Sequence, residues 1–258
     1  MKIPQHIAIL CDGNRRWAKQ KNLPEFSGHK YAIDNTIEKL VDHSIKLKIP
    51  FLTFWVLSTE NWKRGQDWME KYFKLMHYFF NKKLDIIINK GAKLKTIGDL
   101  NKLPKDIQKL IKDTVERSKN NNKITIIIAI NYGGQDEIIR AINKLFEQGQ
   151  SLTGDPAECR VGTAKPEGLS LKDSSPTVAS NPKKLTPTQF SQYLDTSNLP
   201  NPDLLIRPGG HSRFSNFMLW QTAYTQLYFT NILFPDFKAK QLDQAIQWWQ
   251  QQTQNLGK

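Results

Sequence analysis

The sequence has little cysteine, no long apolar run and a shortage of acidic side chains. Its two cysteines, Cys11 and Cys159, lie far apart and share no ligand spacing. That excludes a disulfide framework and a cysteine-built zinc site, and it points to a reducing, cytoplasmic compartment. The N-terminal MKIPQHIAIL lacks the apolar core of a secretion signal. No stretch approaches the ~20 continuous apolar residues of a membrane span, so any membrane contact is expected from outside. Acidic residues number 24 against 37 basic, a formal charge of +13. The lysines are scattered, and no basic block reads as a nucleic-acid tail. An excess of this size suits a phosphorylated substrate, an anionic membrane surface or nucleic acid, and it also fits an ordinary lysine-rich surface.

What is present is a chain of 258 residues, 39% hydrophobic and 24% charged. That balance is globular, and the length buries a sizeable core. HIAILC (6–11), PFLTFWVLS (50–58), AKLKTIGD, KITIIIAINYGG and PDLLIRPGG read as strands. Between them, apolar residues recur at three- and four-residue steps from Gly28 to about Ile49 and from Asp67 to about Lys90, as in helices. Further helices are expected at PKDIQKLIKDTVERSK, DEIIRAINKLFEQ, LTPTQFSQYL and about 240–254. Strands alternating with helices imply a largely parallel sheet covered on both faces. The pattern lapses at 149–184, rich in Gly, Pro, Ser, Thr and Lys, then resumes. The expectation is one domain over 1–258 with a flexible insertion at 149–184.

Ligands in such sheets collect beyond the carboxyl ends of the strands. The first strand ends in Asp12-Gly13-Asn14-Arg15-Arg16. Gly13 lets the backbone approach a ligand, Asn14 is suited to cap the next helix, and the two guanidinium forks suit phosphate oxygens. Asp12 would repel a bare phosphate. It fits if Mg²⁺ sits between them, since Mg²⁺ takes carboxylate and phosphate oxygens. The fifth strand ends in RPGGHSRFSN, where Arg207, Arg213, His211, Ser212 and Ser215 surround a two-glycine turn. The second ends in STENWKR, with Glu60, Asn61, Trp62 and Arg64. Each turn alone also fits a solvated surface. Together they read as two anion sites at neighbouring strand ends, hence two phosphorylated substrates. The aromatic helix from Trp68 to Phe80 then reads either as core or as the wall of an apolar tunnel between sheet and helices.

HIAILCDGNRRWA, Gly28-His29-Lys30, STENWKR, INYGG and IRPGGHSRFSNFMLWQTAYTQLYFT followed by FPDF resemble the cis-prenyltransferases. These motifs run in order from about His6 to Phe237. The resemblance implies extension of an allylic diphosphate, such as farnesyl diphosphate, by isopentenyl diphosphate, with Mg²⁺ as cofactor. It assigns the allylic diphosphate to Gly13, Asn14, Arg15, Arg16, His29 and Arg64, with Trp17, Ser58 and Trp62 beside them. It assigns isopentenyl diphosphate to Arg207, Arg213 and Ser215. Asp12 takes the metal, and Asn61 lies near the reacting centre. The family's second metal-linked acid falls on Gln226. Val56 and Leu57 fall near the tunnel wall. The stripe from Trp220 to Phe229 resembles the family's dimer-forming region, which implies a homodimer. Three positions depart from the pattern: Glu25 and Asn255, each where an arginine is usual, and Gln226. They leave a second reading open, a weakened or non-catalytic homologue that binds a diphosphate lipid as a supporting subunit. A nucleic-acid binder is the third class, and the apolar girth of the 68–80 helix argues against it.

Overall fold

The computed structural model describes residues 2–147 and 184–252. The 149–184 insertion, apart from Lys184, lies outside the described residues, as do Cys159 and Asn255.

Six parallel strands form one sheet in the order β3-β4-β2-β1-β5-β6. They are β1 (His6–Leu10), β2 (Phe51–Trp55), β3 (Ala92–Ile97), β4 (Ile124–Ala129), β5 (Leu204–Arg207) and β6 (Gln226–Phe229). From β1 the chain moves outward on one side to β2, and it returns on the other side at β5. The boundary between β1 and β5 is thus the switch point of the sheet, where a crevice opens beyond the carboxyl ends. The register Ile9↔Ile206 sets Asp12 beside Arg207 there.

Alternate residues of β1 serve opposite faces, as the period of a strand requires. Ile7 and Ile9 join the larger cluster, which contains Leu40, Val41, Met76 and Leu242 from helices. Ala8 and Leu10 join a smaller cluster closed by Phe217 and Met218, with Trp55 stacked on Phe217 at 4.9 Å. β6 was not legible in the sequence. It is a four-residue edge strand of half-buried residues, so neither a continuous apolar run nor a clean alternation marks it.

Helix α1 is Asn14–Gln20. The helix expected from Gly28 is really α2 (Ser27–Tyr31), a π-helical segment (Ala32–Ile37) and α3 (Glu38–Lys46). It ends where Lys48 turns left-handed, φ 58°, before Pro50. The next helix repeats the plan as α4 (Gln66–Tyr78), a π-helical segment (Phe79–Lys83) and α5 (Leu84–Asn89). Then come α6 (Lys105–Ser118), α7 (Gly134–Glu147), α8 (Pro187–Ser191), opened by a Thr186 cap, and α9 (Ala239–Gln250). Among the described residues no helix is long and apolar enough to cross a membrane.

The chain groups into two compact units, Met1–Glu137 with Leu199–Lys258, and Ile138–Asn198. In the second, the Arg140 guanidinium forks onto the Asp195 carboxylate at 2.7 and 2.6 Å. The first unit carries the sheet and everything below.

His6 opens β1 and is fully buried. Its Nδ1 lies 2.7 Å from the Pro200 carbonyl and its Nε2 2.7 Å from Thr53 Oγ1. Burial lowers its pKa from 6.5 to about 4, against the smaller upward pull of Pro200 and Asp203. The unfolded chain takes this proton near pH 6.5 and the folded chain refuses it. Stability is therefore full above pH 6.5 and falls as the pH drops toward 4, by about 3 kcal/mol for this group. Urea unfolding at pH 7.5 and pH 5 is expected to show about 2 kcal/mol of that loss from His6, which His6→Asn removes while the like share of His29, also lowered to about 4, stays. An equal pH dependence in His6→Asn contradicts the assignment.

Candidate active site

Asp12 stands just past β1. One carboxylate oxygen takes Arg16 Nη2 at 3.2 Å and the other takes Arg207 Nη2 at 3.0 Å. Arg207 is only 5% exposed. Its Nη1 donates to the Arg213 carbonyl and to Ser215 Oγ, the latter at 2.7 Å. Arg16 Nη1 donates to the Gly209 carbonyl at 2.6 Å. A single acid thus ties the first strand end to the fifth. Two glycines make this possible. Gly13, at φ 106°, turns the chain into α1, and Gly209, at φ 94°, passes so close that a Cβ there would lie 2.7 Å from Arg16 Nη2. Both φ values suit glycine alone.

Asn14 does not cap α1 as the sequence led us to expect. It is the first helical residue, and its Nδ2 donates back to the Cys11 carbonyl at 2.8 Å. Its Oδ1 is buried without a hydrogen-bond partner. This is a hard acceptor oxygen two residues from Asp12.

These groups line one cavity of about 1020 Å³. From the first strand end it takes Asp12, Gly13, Asn14, Arg15 and Arg16; from the second, Ser58, Glu60, Asn61 and Arg64; from the fifth, Arg207, His211 and Ser215; and His29 from α2. Ser58 N donates to Asn61 Oδ1 at 3.1 Å, which fixes that turn. Arg64 sits 4.5 Å above the Trp68 ring. Burial lowers its pKa below the ordinary value, and the like charge of Arg15 adds to this. His29 is lowered to about 4, first by burial and then by Arg64, so its imidazole is neutral at pH 7. Clustered guanidiniums that disfavour one another's charge favour an added anion.

Behind this basic mouth the lining turns apolar. Ala32, Ile33 and Ile37 come from the first π-helical segment, Leu75 and Met76 from α4, and Phe79 and Phe80 from the second π-helical segment. Val56 joins them, held by a hydrogen bond from Tyr72 Oη to its carbonyl. Leu57 is buried in the core and not on the lining.

Four of the expected site residues are not brought to the cavity lining. Trp17 is buried, donates to Asp236 Oδ2 at 2.9 Å and stacks on Tyr31, so it docks α1. Trp62 donates to Asn131 Oδ1 at 2.7 Å, which ties its turn to the end of β4. The Arg213 side chain is exposed, with its Nε donating to Ser215 Oγ at 3.3 Å, and its carbonyl fixes Arg207. Gln226 begins β6, paired with Leu204, so the strand runs on three residues to Phe229 before reaching the carboxyl edge. Among the described residues no cluster of three or more His, Cys, Asp or Glu side chains is poised for a metal.

The sequence reading missed Lys19 and Asn216 on the lining, whereas Tyr72 lies in the 68–80 helix read as core or tunnel wall. Lys19 carried a signal, four residues after Arg15 on one helix face. Asn216 carried none. Its Nδ2 donates to Glu60 Oε1 at 2.9 Å and its Oδ1 accepts from Gln135 N at 2.8 Å. Glu25 also proves part of the mouth, where it holds Arg15 Nε at 2.7 Å and accepts from Trp68 Nε1 at 2.9 Å.

A cluster of guanidiniums opening onto an apolar cavity, at the switch point of a parallel sheet, is a site for an anionic head with an apolar tail. Comparison with known proteins gives that class its family. The model of the family described as "Putative undecaprenyl diphosphate synthase" matches residues 10–257. The undecaprenyl-diphosphate synthase of Micrococcus luteus, described as farnesyl-diphosphate specific, is 36% identical over 99% of this chain and 92% of its own. The nerylneryl diphosphate synthase of Solanum lycopersicum is 40% identical over 99% of this chain and 71% of its own. Among solved structures, lavandulyl diphosphate synthase from Lavandula x intermedia, in complex with dimethylallyl diphosphate, superposes with a TM-score of 0.83 at 28% identity over 99% of both chains. The chain belongs to the undecaprenyl diphosphate synthase family, whose members are cis-prenyltransferases.

Removing the Asp12 charge leaves Arg16 and Arg207 without their shared anion. Asp12→Asn is expected to cost about 1–3 kcal/mol, a melting-temperature drop of a few degrees. Inorganic diphosphate, replacing the carboxylate, is expected to restore more stability to the variant than it adds to the native protein. Equal stabilisation of both, measured by thermal denaturation, contradicts this account of the pair.

Proposed function

We propose that this chain extends an allylic diphosphate, such as farnesyl diphosphate, with isopentenyl diphosphate to a polyprenyl diphosphate. The observation that carries the reading is the continuity of one cavity, from Arg16, Arg64 and Arg207 at the mouth to Phe79 and Phe80 within. The head binds at the guanidiniums and the tail lies among the apolar side chains. In the reaction the allylic C–O bond breaks and diphosphate leaves with its electron pair. The allylic carbon bonds to the terminal alkene carbon of isopentenyl diphosphate, which then loses a proton. Charge grows on the leaving diphosphate, where Arg16 and Arg64 stabilise it. Arg207 and Ser215 hold the second diphosphate, and proximity supplies the rest of the rate. Exclusion of water by the apolar walls protects the allylic cation.

A Mg²⁺ requirement is consistent with the oxygens present. Asp12 and the unpartnered Asn14 Oδ1 would hold the ion together with diphosphate oxygens, as Mg²⁺ usually binds through one or two carboxylates and substrate phosphates. When bound, the ion neutralises charge on the leaving diphosphate. The reading of Gln226 as a second metal group has no support within one chain.

A homodimer is also part of the proposal. Leu219 and Tyr224, both in the segment before the β6 edge strand, are 37% and 81% exposed, apolar side chains suited to cover by a second copy. The second reading, binding without turnover, is favoured by one observation: Glu25 occupies Arg15. Peripheral membrane contact is part of the same proposal, supported by the basic excess and by a lipid product.

The test is transfer of radiolabelled isopentenyl diphosphate into butanol-extractable product, with farnesyl diphosphate and Mg²⁺ or EDTA. Mg²⁺-dependent product is expected, and Arg16→Ala is expected to lower kcat about 10²–10³-fold. Folded native protein that binds farnesyl diphosphate but yields no product supports binding without turnover.

A further inference from the structure

The two helices that wall the cavity also meet on their polar sides. Asp34 lies on the π-helical segment Ala32–Ile37, and its carboxylate reaches across to the other helix. It accepts from Tyr78 Oη at 2.6 Å and pairs with Lys83 Nζ at 3.1 Å. Tyr78 ends α4, and Lys83 ends the second π-helical segment. Lys30, one turn back on Asp34's own helix, takes the other carboxylate oxygen at 2.5 Å. Burial alone would push the Asp34 carboxyl up, but the bonds from Lys30, Tyr78 and Lys83 outweigh it and hold the pKa below its ordinary value. A second link lies farther along, where Lys90 pairs with Glu38 and Asp42, both at 2.7 Å.

The same segments send Ile37, Phe79 and Phe80 to the cavity. A π-helical turn holds one more residue than an α-helical turn. Each helix thereby presents apolar side chains inward and polar ones to its neighbour at one level. The walls and the polar cluster are therefore parts of one joint.

We propose that the Asp34–Tyr78–Lys83 cluster limits product length by fixing the separation of the two cavity helices. The inference rests on the prenyltransferase reading above. A chain growing in the cavity comes against Ile37, Phe79 and Phe80. Room for further units requires the helices to part, and parting them breaks the cross-helix bonds to Asp34. Those bonds are charge-assisted and part-buried, so they resist. The cluster touches no substrate; its three residues are positioning residues. Lys30 bonds to Asp34 within one helix and also lies 4.6 Å over the Tyr78 ring, so it adds a weaker cross-helix contact.

The experiment measures product lengths by chromatography, using the full chain, farnesyl diphosphate and radiolabelled isopentenyl diphosphate. Lys83→Glu and Asp34→Asn are expected to shift the products to longer chains with KM for farnesyl diphosphate unchanged. Lys83→Arg is expected to keep the native lengths. Should Lys83→Glu fail to fold, the isosteric Asp34→Asn gives the reading. Native lengths from Asp34→Asn overturn the inference, as does equal lengthening by Lys83→Arg. Absence of product from the native chain overturns the transferase reading and this inference with it, whereas active variants with unaltered product overturn this inference alone.

Discussion

The Asp12 carboxylate, shared between Arg16 and Arg207, is the interaction on which the site depends. The partners Asp12 and Arg207 are 195 residues apart in the chain. The sheet brings them together because β1 and β5 are neighbours at the switch point. Each arginine is then fixed again by a backbone carbonyl, Gly209 for Arg16 and Arg213 for Arg207. Two guanidiniums would not sit so close in a part-buried site without an anion between them. The acid sets the spacing of the two guanidiniums.

The mouth and the interior obey different physics. At the mouth, desolvation and the like charge of Arg15 leave Arg64 seeking an anion, while His29 stays neutral. The interior offers only apolar contact, so it recognises a tail by size. Glu25 modulates the first without touching the second. It holds Arg15 and the Trp68 indole, and Trp68 in turn carries Arg64 on its face. Glu25 therefore stands in competition with any added anion for Arg15.

Much of the fold was legible because buried parallel strands announce themselves. β1, β2, β4 and β5 are continuous apolar runs ending in polar turns, and the turns held most of the site. β6 was hidden, since a short, half-buried edge strand carries no such run. The two π-helical segments were hidden as well, because apolar steps of three and four look the same when one residue is inserted. Long-range contacts had no local trace. Nothing in STENWKR foretells that Glu60 meets Asn216, or that the Trp62 indole serves Asn131. Trp17 illustrates the limit of a motif: it stands among substrate-binding residues in the sequence but packs against Asp236 and Tyr31 in space.

If one cavity joins the guanidinium mouth to the apolar interior, a diphosphate head and its tail bind together. Calorimetry tests it most directly, with non-reacting thiolodiphosphate analogues of dimethylallyl, geranyl and farnesyl chains beside inorganic diphosphate. Affinity is expected to rise, and the heat capacity change to grow more negative, with each added isoprene unit. Affinity independent of the tail, with inorganic diphosphate binding as tightly as the farnesyl analogue, would contradict it.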